Sequence, residues 1–179
     1  MKAFIVAATS ALAVAGSAAA QSAPAPSGLE VRFCPEAVAR TYPLDSLRSV
    51  QGLLLQNVVV INHGAPVTLE AIEIALMRGT DAVDSRLITG PALENAAKGG
   101  AGAQASGMLE VASFQFCDGR LLDGAKLSDD LTLETGEAVM IMQQPFTWKG
   151  ARDSVRVSAR SLRGDEPVSG RASVPIDST

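Results

Sequence analysis

The segment Leu53–Leu76, LLLQNVVVINHGAPVTLEAIEIAL, alternates in a two-residue period on both sides of an Asn-His-Gly stop. Leu53, Leu55, Val59 and Ile61 share one side with Asn57, and Leu54, Val58 and Val60 take the other. With both sides mostly apolar, the spacing predicts a central strand. The next run sets Ile72, Ile74 and Leu76 against Ala71, Glu73 and Ala75, then turns through Arg78-Gly79-Thr80-Asp81 into AVDSRLI. That pattern predicts a half-exposed hairpin with its apolar side on a core. Further strands are expected in MLEVASFQF, AVMIMQQPFTW, SVRVSAR and GRASVPI, and PALENAAKGG predicts one short helix running into a flexible crossover, AGAQASG.

Turns such as Trp148-Lys149-Gly150-Ala151 and Arg163-Gly164-Asp165-Glu166 separate these runs. Their spacing predicts an all-β, immunoglobulin-like antiparallel β-sandwich of about seven to eight strands, with an open barrel as the competing closure.

The first twenty residues stand apart. Lys2, an apolar run from Ala3 to Ala15, and the small residues Ala18 and Ala20 form a secretory signal with an Ala-x-Ala cleavage pattern. Gln21–Gly28, QSAPAPSG, has the composition of a flexible spacer. The expected organisation is signal peptide 1–20, linker 21–28, one sandwich domain 29–176 and a tail 177–179. The chain is then periplasmic or secreted and not an integral membrane protein.

Export changes the meaning of the two cysteines. In an oxidising compartment Cys34 and Cys117 are expected to form one disulfide. Such a link closes a loop of about 80 residues, and loop entropy alone gives it roughly 4–5 kcal/mol.

Charge narrows the partners. Removing Lys2 from the 15 basic residues leaves 14 against 19 acidic ones, a net charge of −5. Without a run of Lys and Arg, and with few aromatic residues, nucleic acid and anionic membranes are not expected partners.

Candidate chemistry is sparse. His63 is the chain's single histidine, and its neighbours Asn62 and Gly64 both tolerate positive φ, so it is expected to mark a corner rather than a site. Asp118, Asp123, Asp129 and Asp130 fall within one stretch, but without a ligand at every second position they are expected to be turn residues rather than a calcium loop. Glu70, Glu73 and Glu110 are read as solvated strand faces. No catalytic residue, metal ligand or cofactor is expected. One run remains: Met140, Met142, Gln144, Phe146 and Trp148 share a strand side, with Lys149 and Arg152 at its end. Met140, Met142, Phe146, Trp148, Lys149 and Arg152 are the candidate partner-binding residues, since methionine and tryptophan supply adaptable contact area.

The succession QNVVVINHGAPVTLEAIEIALMRG, DSRLI, LTLETGEAVMIMQQPFTWKGARDSVRVSARS and SVPI resembles the immunoglobulin-like N-terminal region that precedes the catalytic domain in some exported bacterial lysostaphin-type metallopeptidases. The resemblance covers Gln56 to Ile176. Those enzymes bind zinc through several histidines and an aspartate, whereas this chain has one histidine and no such catalytic domain. The resemblance therefore implies a non-enzymatic accessory module acting on a protein or cell-envelope partner. The alternatives are a small carboxylate-based hydrolase acting on glycans, or an assembly subunit pairing through an edge strand.

Overall fold

The computed structural model describes residues 28–34, 39–43, 50–106, 122, 124–149 and 151–177. The expected signal peptide, most of the linker, the MLEVASFQF strand, and Cys117, Asp118 and Asp123 lie outside these residues. Ten strands and one helix follow in the order β1 (Leu29–Cys34), β2 (Ala39–Pro43), β3 (Val50–Asn62), β4 (Val67–Arg78), β5 (Asp81–Thr89), α1 (Gly90–Ala105), β6 (Lys126–Leu127), β7 (Thr132–Leu133), β8 (Glu137–Lys149), β9 (Ser154–Arg163) and β10 (Glu166–Asp177).

The chain is an all-β sandwich. One sheet is built on β3, which pairs antiparallel with β8 on one side and with β1 and β2 on the other. The other runs β5-β4-β9-β10, all antiparallel, with β7 beside β4. A short parallel pairing, Ile176 with Ala39 and Asp177 with Arg40, joins β10 to β2 and so seams the sheets along one side.

Alternation explains the elements. Val58, Val59, Val60 and Ile61 are all fully buried, as a central strand covered on both faces requires. Val58 and Val60 meet Ile72, Ile74, Leu76, Val155 and Val157 in the main core between the sheets. Val59 and Ile61 face the other way, into a smaller cluster with Leu127, Ala138 and Met140, against which Ala101 and Ala103 of α1 pack. The β4–β5 hairpin forms as the alternation predicts, and Gly79 supplies the positive φ of its turn (60°).

Two expectations change. The helix does not stop at Gly100 but continues through AGAQA to Ala105. Its alanines favour the helix more than the glycines, at about 1 kcal/mol each, oppose it. Gly100 is also needed where it stands: a Cβ there would lie 3.2 Å from the Met140 carbonyl oxygen. Among the described residues the strands number ten, because β1 and β2 form outside the expected runs and β6 and β7 have two residues each, too short to show a period.

On the side opposite the seam no strand pairing closes the sandwich among the described residues. Arg86 of β5 crosses instead, its guanidinium 4.6 Å from the centre of the Phe146 ring and donating to Gln144 Oε1 and the Pro145 carbonyl of β8.

Candidate functional site

The late-hairpin side chains expected to meet a partner are mostly core. Met140 is 1% exposed, Phe146 6% and Trp148 5%. The inward side of β8 switches between Ile141 and Phe146, so Val139 and Ile141 join Phe146 and Trp148 in the main core, while Met140 is buried under the helix side. The expectation of a methionine–tryptophan contact face is thereby corrected. Truncating Trp148 opens a cavity rather than removing an exposed anchor. Of the set, Met142 is exposed at 39%, beside α1 near Gly99. Arg152 is half-buried and donates to the Ala151 carbonyl, and Lys149 ends β8. Cys34 ends β1 opposite Asn57.

His63 does mark a corner, at the end of β3, yet it also has a partner that sequence spacing hid. Its Nε2 lies 2.7 Å from Glu30 Oε2, and the same carboxylate takes Arg32 Nε at 2.8 Å and an Arg32 Nη2 bond at 3.1 Å. Glu30 and Arg32 point to one side of β1, and the antiparallel register sets Glu30 against Ile61, two residues from His63. Burial by itself raises the Glu30 pKa. The hydrogen bonds and positive charge from Arg32 and His63 outweigh it, and the carboxyl is held below its ordinary value. An ionised Glu30 only accepts, so the imidazole nitrogen facing it carries the proton.

The backbone around this corner is fully used. The His63 amide donates to the Gly28 carbonyl, and the Gly136 amide donates to that of Asn62. The buried Asn62 side chain donates to the Ala65 and Leu133 carbonyls and accepts from the Gly64 amide. Among the described residues the imidazole bonds Glu30 alone, and no hydroxyl or thiol meets it. The arrangement ties β1, the β3–β4 turn and the β7–β8 turn together. Asp130, from the acidic stretch, accepts from the Leu131 and Thr132 amides and closes its own turn.

The feature that sequence reading missed lies on the outer face of the β5-β4-β9-β10 sheet. In β9 the apolar positions Val155, Val157 and Ala159 are fully buried, which turns Arg156, Ser158 and Arg160 outward. In β10 the buried Val168, Gly170, Ala172 and Val174 turn Ser169, Arg171 and Ser173 to the same side. Register then builds three rows across the four strands: Ser85–Ala75–Arg156–Ser173, Leu87–Glu73–Ser158–Arg171, and Thr89–Ala71–Arg160–Ser169. Each arginine sits opposite a serine, and Arg171 is diagonal to both others, about 7–8 Å away. Arg160 and Arg171 are exposed and Arg156 is half-buried.

Among the described residues none of the three guanidinium groups has an ion pair or a side-chain hydrogen bond. The Arg156 Nε is buried from water and lacks an acceptor. Glu73 lies in these rows and the exposed Glu70 at the β4 irregularity beside Arg160, so three arginines face two acids and the face is net positive by one on a chain whose formal charge is −4. The signal was present in the sequence as Arg-x-Ser-x-Arg in β9. Arg171 is eleven residues beyond Arg160, and only strand pairing brings it between them.

The fold and this face define an all-β sandwich with an unpaired basic sheet surface. Searches against protein-family models, curated proteins and solved structures found no match. Among the described residues no helix is long and apolar enough to cross a membrane.

Proposed function

We propose that the protein is an exported, non-enzymatic binding module that holds a cell-envelope partner on the outer face of its β5-β4-β9-β10 sheet. The observation that carries this reading is the set of three arginines that make no ion pair among the described residues, Arg156, Arg160 and Arg171, on one sheet face. Arg171 lies about 7–8 Å from each of the other two, so the like charges repel, and an acidic partner removes that cost. Scaffold residues fit the same reading. The Glu30–Arg32–His63 cluster and the Asn62 corner fasten the far sheet, away from the basic face. Export and a Cys34–Cys117 disulfide belong to the proposal, resting on the leader-like start and the even cysteine count.

The test is co-sedimentation of the protein with an envelope fraction of its host, beside a variant carrying Arg156→Gln, Arg160→Gln and Arg171→Gln. Retention of the parent and loss of the variant is the expected result. Equal retention of both, or of neither, refutes the face as a binding surface.

A further inference from the structure

Resting on that reading, the geometry points to an acidic polysaccharide as the ligand of this face, an extended chain of sugars bearing carboxylates. Arg156 and Arg160 are four residues apart on one strand, about 13 Å at the usual rise, with Arg171 between them on the next strand. Groups spread so widely over a flat sheet do not converge on one small anion. They match acidic groups that recur along a polymer, and the planar guanidinium fork donates two parallel hydrogen bonds to a carboxylate.

The positions between the arginines select the kind of polymer. Ser85, Ser158, Ser173 and Thr89 place hydroxyls among the charges, each able to donate and accept toward the hydroxyls of a sugar. A protein partner is anchored by buried aromatic or apolar groups, and the one large apolar side chain in these rows that is well exposed is Leu87, at 56%. A single-stranded nucleic acid is held by stacking on aromatic rings, and these rows contain none. Charge and hydroxyl chemistry together leave the acidic glycan as the occupant. Such binding is salt-sensitive, because its attraction acts across water.

The experiment measures binding of the protein, purified as its host makes it, to polygalacturonate at low and physiological salt. Dextran, inorganic phosphate and polyglutamate run as comparison probes. Binding to polygalacturonate is expected, weakened roughly tenfold or more by the triple Arg→Gln change or by raised salt. Dextran and phosphate are expected not to compete. A Ser158→Ala, Ser173→Ala variant is expected to lose affinity for polygalacturonate and not for polyglutamate. Thermal melts of both variants confirm that they are folded, since all the changed side chains lie on the outer face.

Polyglutamate binding as tight as polygalacturonate, with no effect of the serine changes, overturns the glycan assignment. Absence of polygalacturonate binding also overturns it. If the envelope fraction still retains the protein through the three arginines in either case, the binding-module reading stands and only the ligand class falls. If neither probe nor envelope is bound, both fall.

Discussion

Glu30 holds its carboxylate at 8% residue exposure between a guanidinium and an imidazole. Replacing it with Gln leaves Arg32 and His63 facing a neutral amide, and the expected cost at neutral pH is about 1–3 kcal/mol, read from denaturant unfolding. The pH dependence has a definite sign. Because the folded-state pKa is depressed, the Glu30 contribution is complete above its ordinary value of 4.5 and is lost as pH falls through the lower folded value. The gap between parent and Glu30→Gln should therefore be widest above pH 4.5 and close in acid. A gap that stays constant down to the acid limb would mean that the ion cluster adds no stability. The turn chemistry of His63 was legible from its neighbours, but its partner, 33 residues earlier, becomes adjacent only through the β1–β3 register.

At the scale of elements, α1 separates two roles of glycine. Gly102 is exposed, with open space where its Cβ would be, whereas a Cβ at Gly100 meets both the Met140 carbonyl and its side chain. Gly102→Ala is expected to raise stability by about 0.5–1 kcal/mol, through helix propensity and a less free unfolded chain. Gly100→Ala should gain nothing or lose stability as the helix is pushed off β8, and matched thermal melts of the two variants check both. The glycine pair at Gly99 and Gly100 read as the end of a helix because helical preference is local, while the need for a close approach to β8 is not. In β5, the register shift opposite Leu76 and Met77 and the charged Asp84 and Arg86 blunt the edge that the strand presents among the described residues.

For the molecule as a whole, alternation made the sandwich legible: β3, the β4–β5 hairpin, β8 and β9 all fall where their apolar periods place them. What alternation cannot supply is register between strands far apart in sequence. The basic face needed β9, β10, β4 and β5 to be aligned, and the burial of Trp148 needed the inward side of β8 to switch along its length. Sheet-to-sheet packing is similarly non-local. A Cβ on Gly170 of β10 would stand 2.6 Å from the Leu29 carbonyl oxygen of β1, so this is where one sheet's edge strand crosses the other. Gly170→Ala is expected to cost about 1–3 kcal/mol in chemical denaturation, since the obstacle is backbone and not a movable side chain. A variant as stable as the parent would show that the two sheets can slide apart there without loss.

The two-residue pairing of β10 with β2 also sets a folding order. Ala39 emerges early in synthesis and waits for Ile176, the next-to-last residue of β10, so this seam cannot form in a chain that stops short of that strand. Contacts of such long sequence separation form slowly. Until β10 arrives, β9 keeps one full edge of backbone donors and acceptors bare. Completion of the last strand is therefore the step at which that edge is covered and the sandwich is seamed along one side.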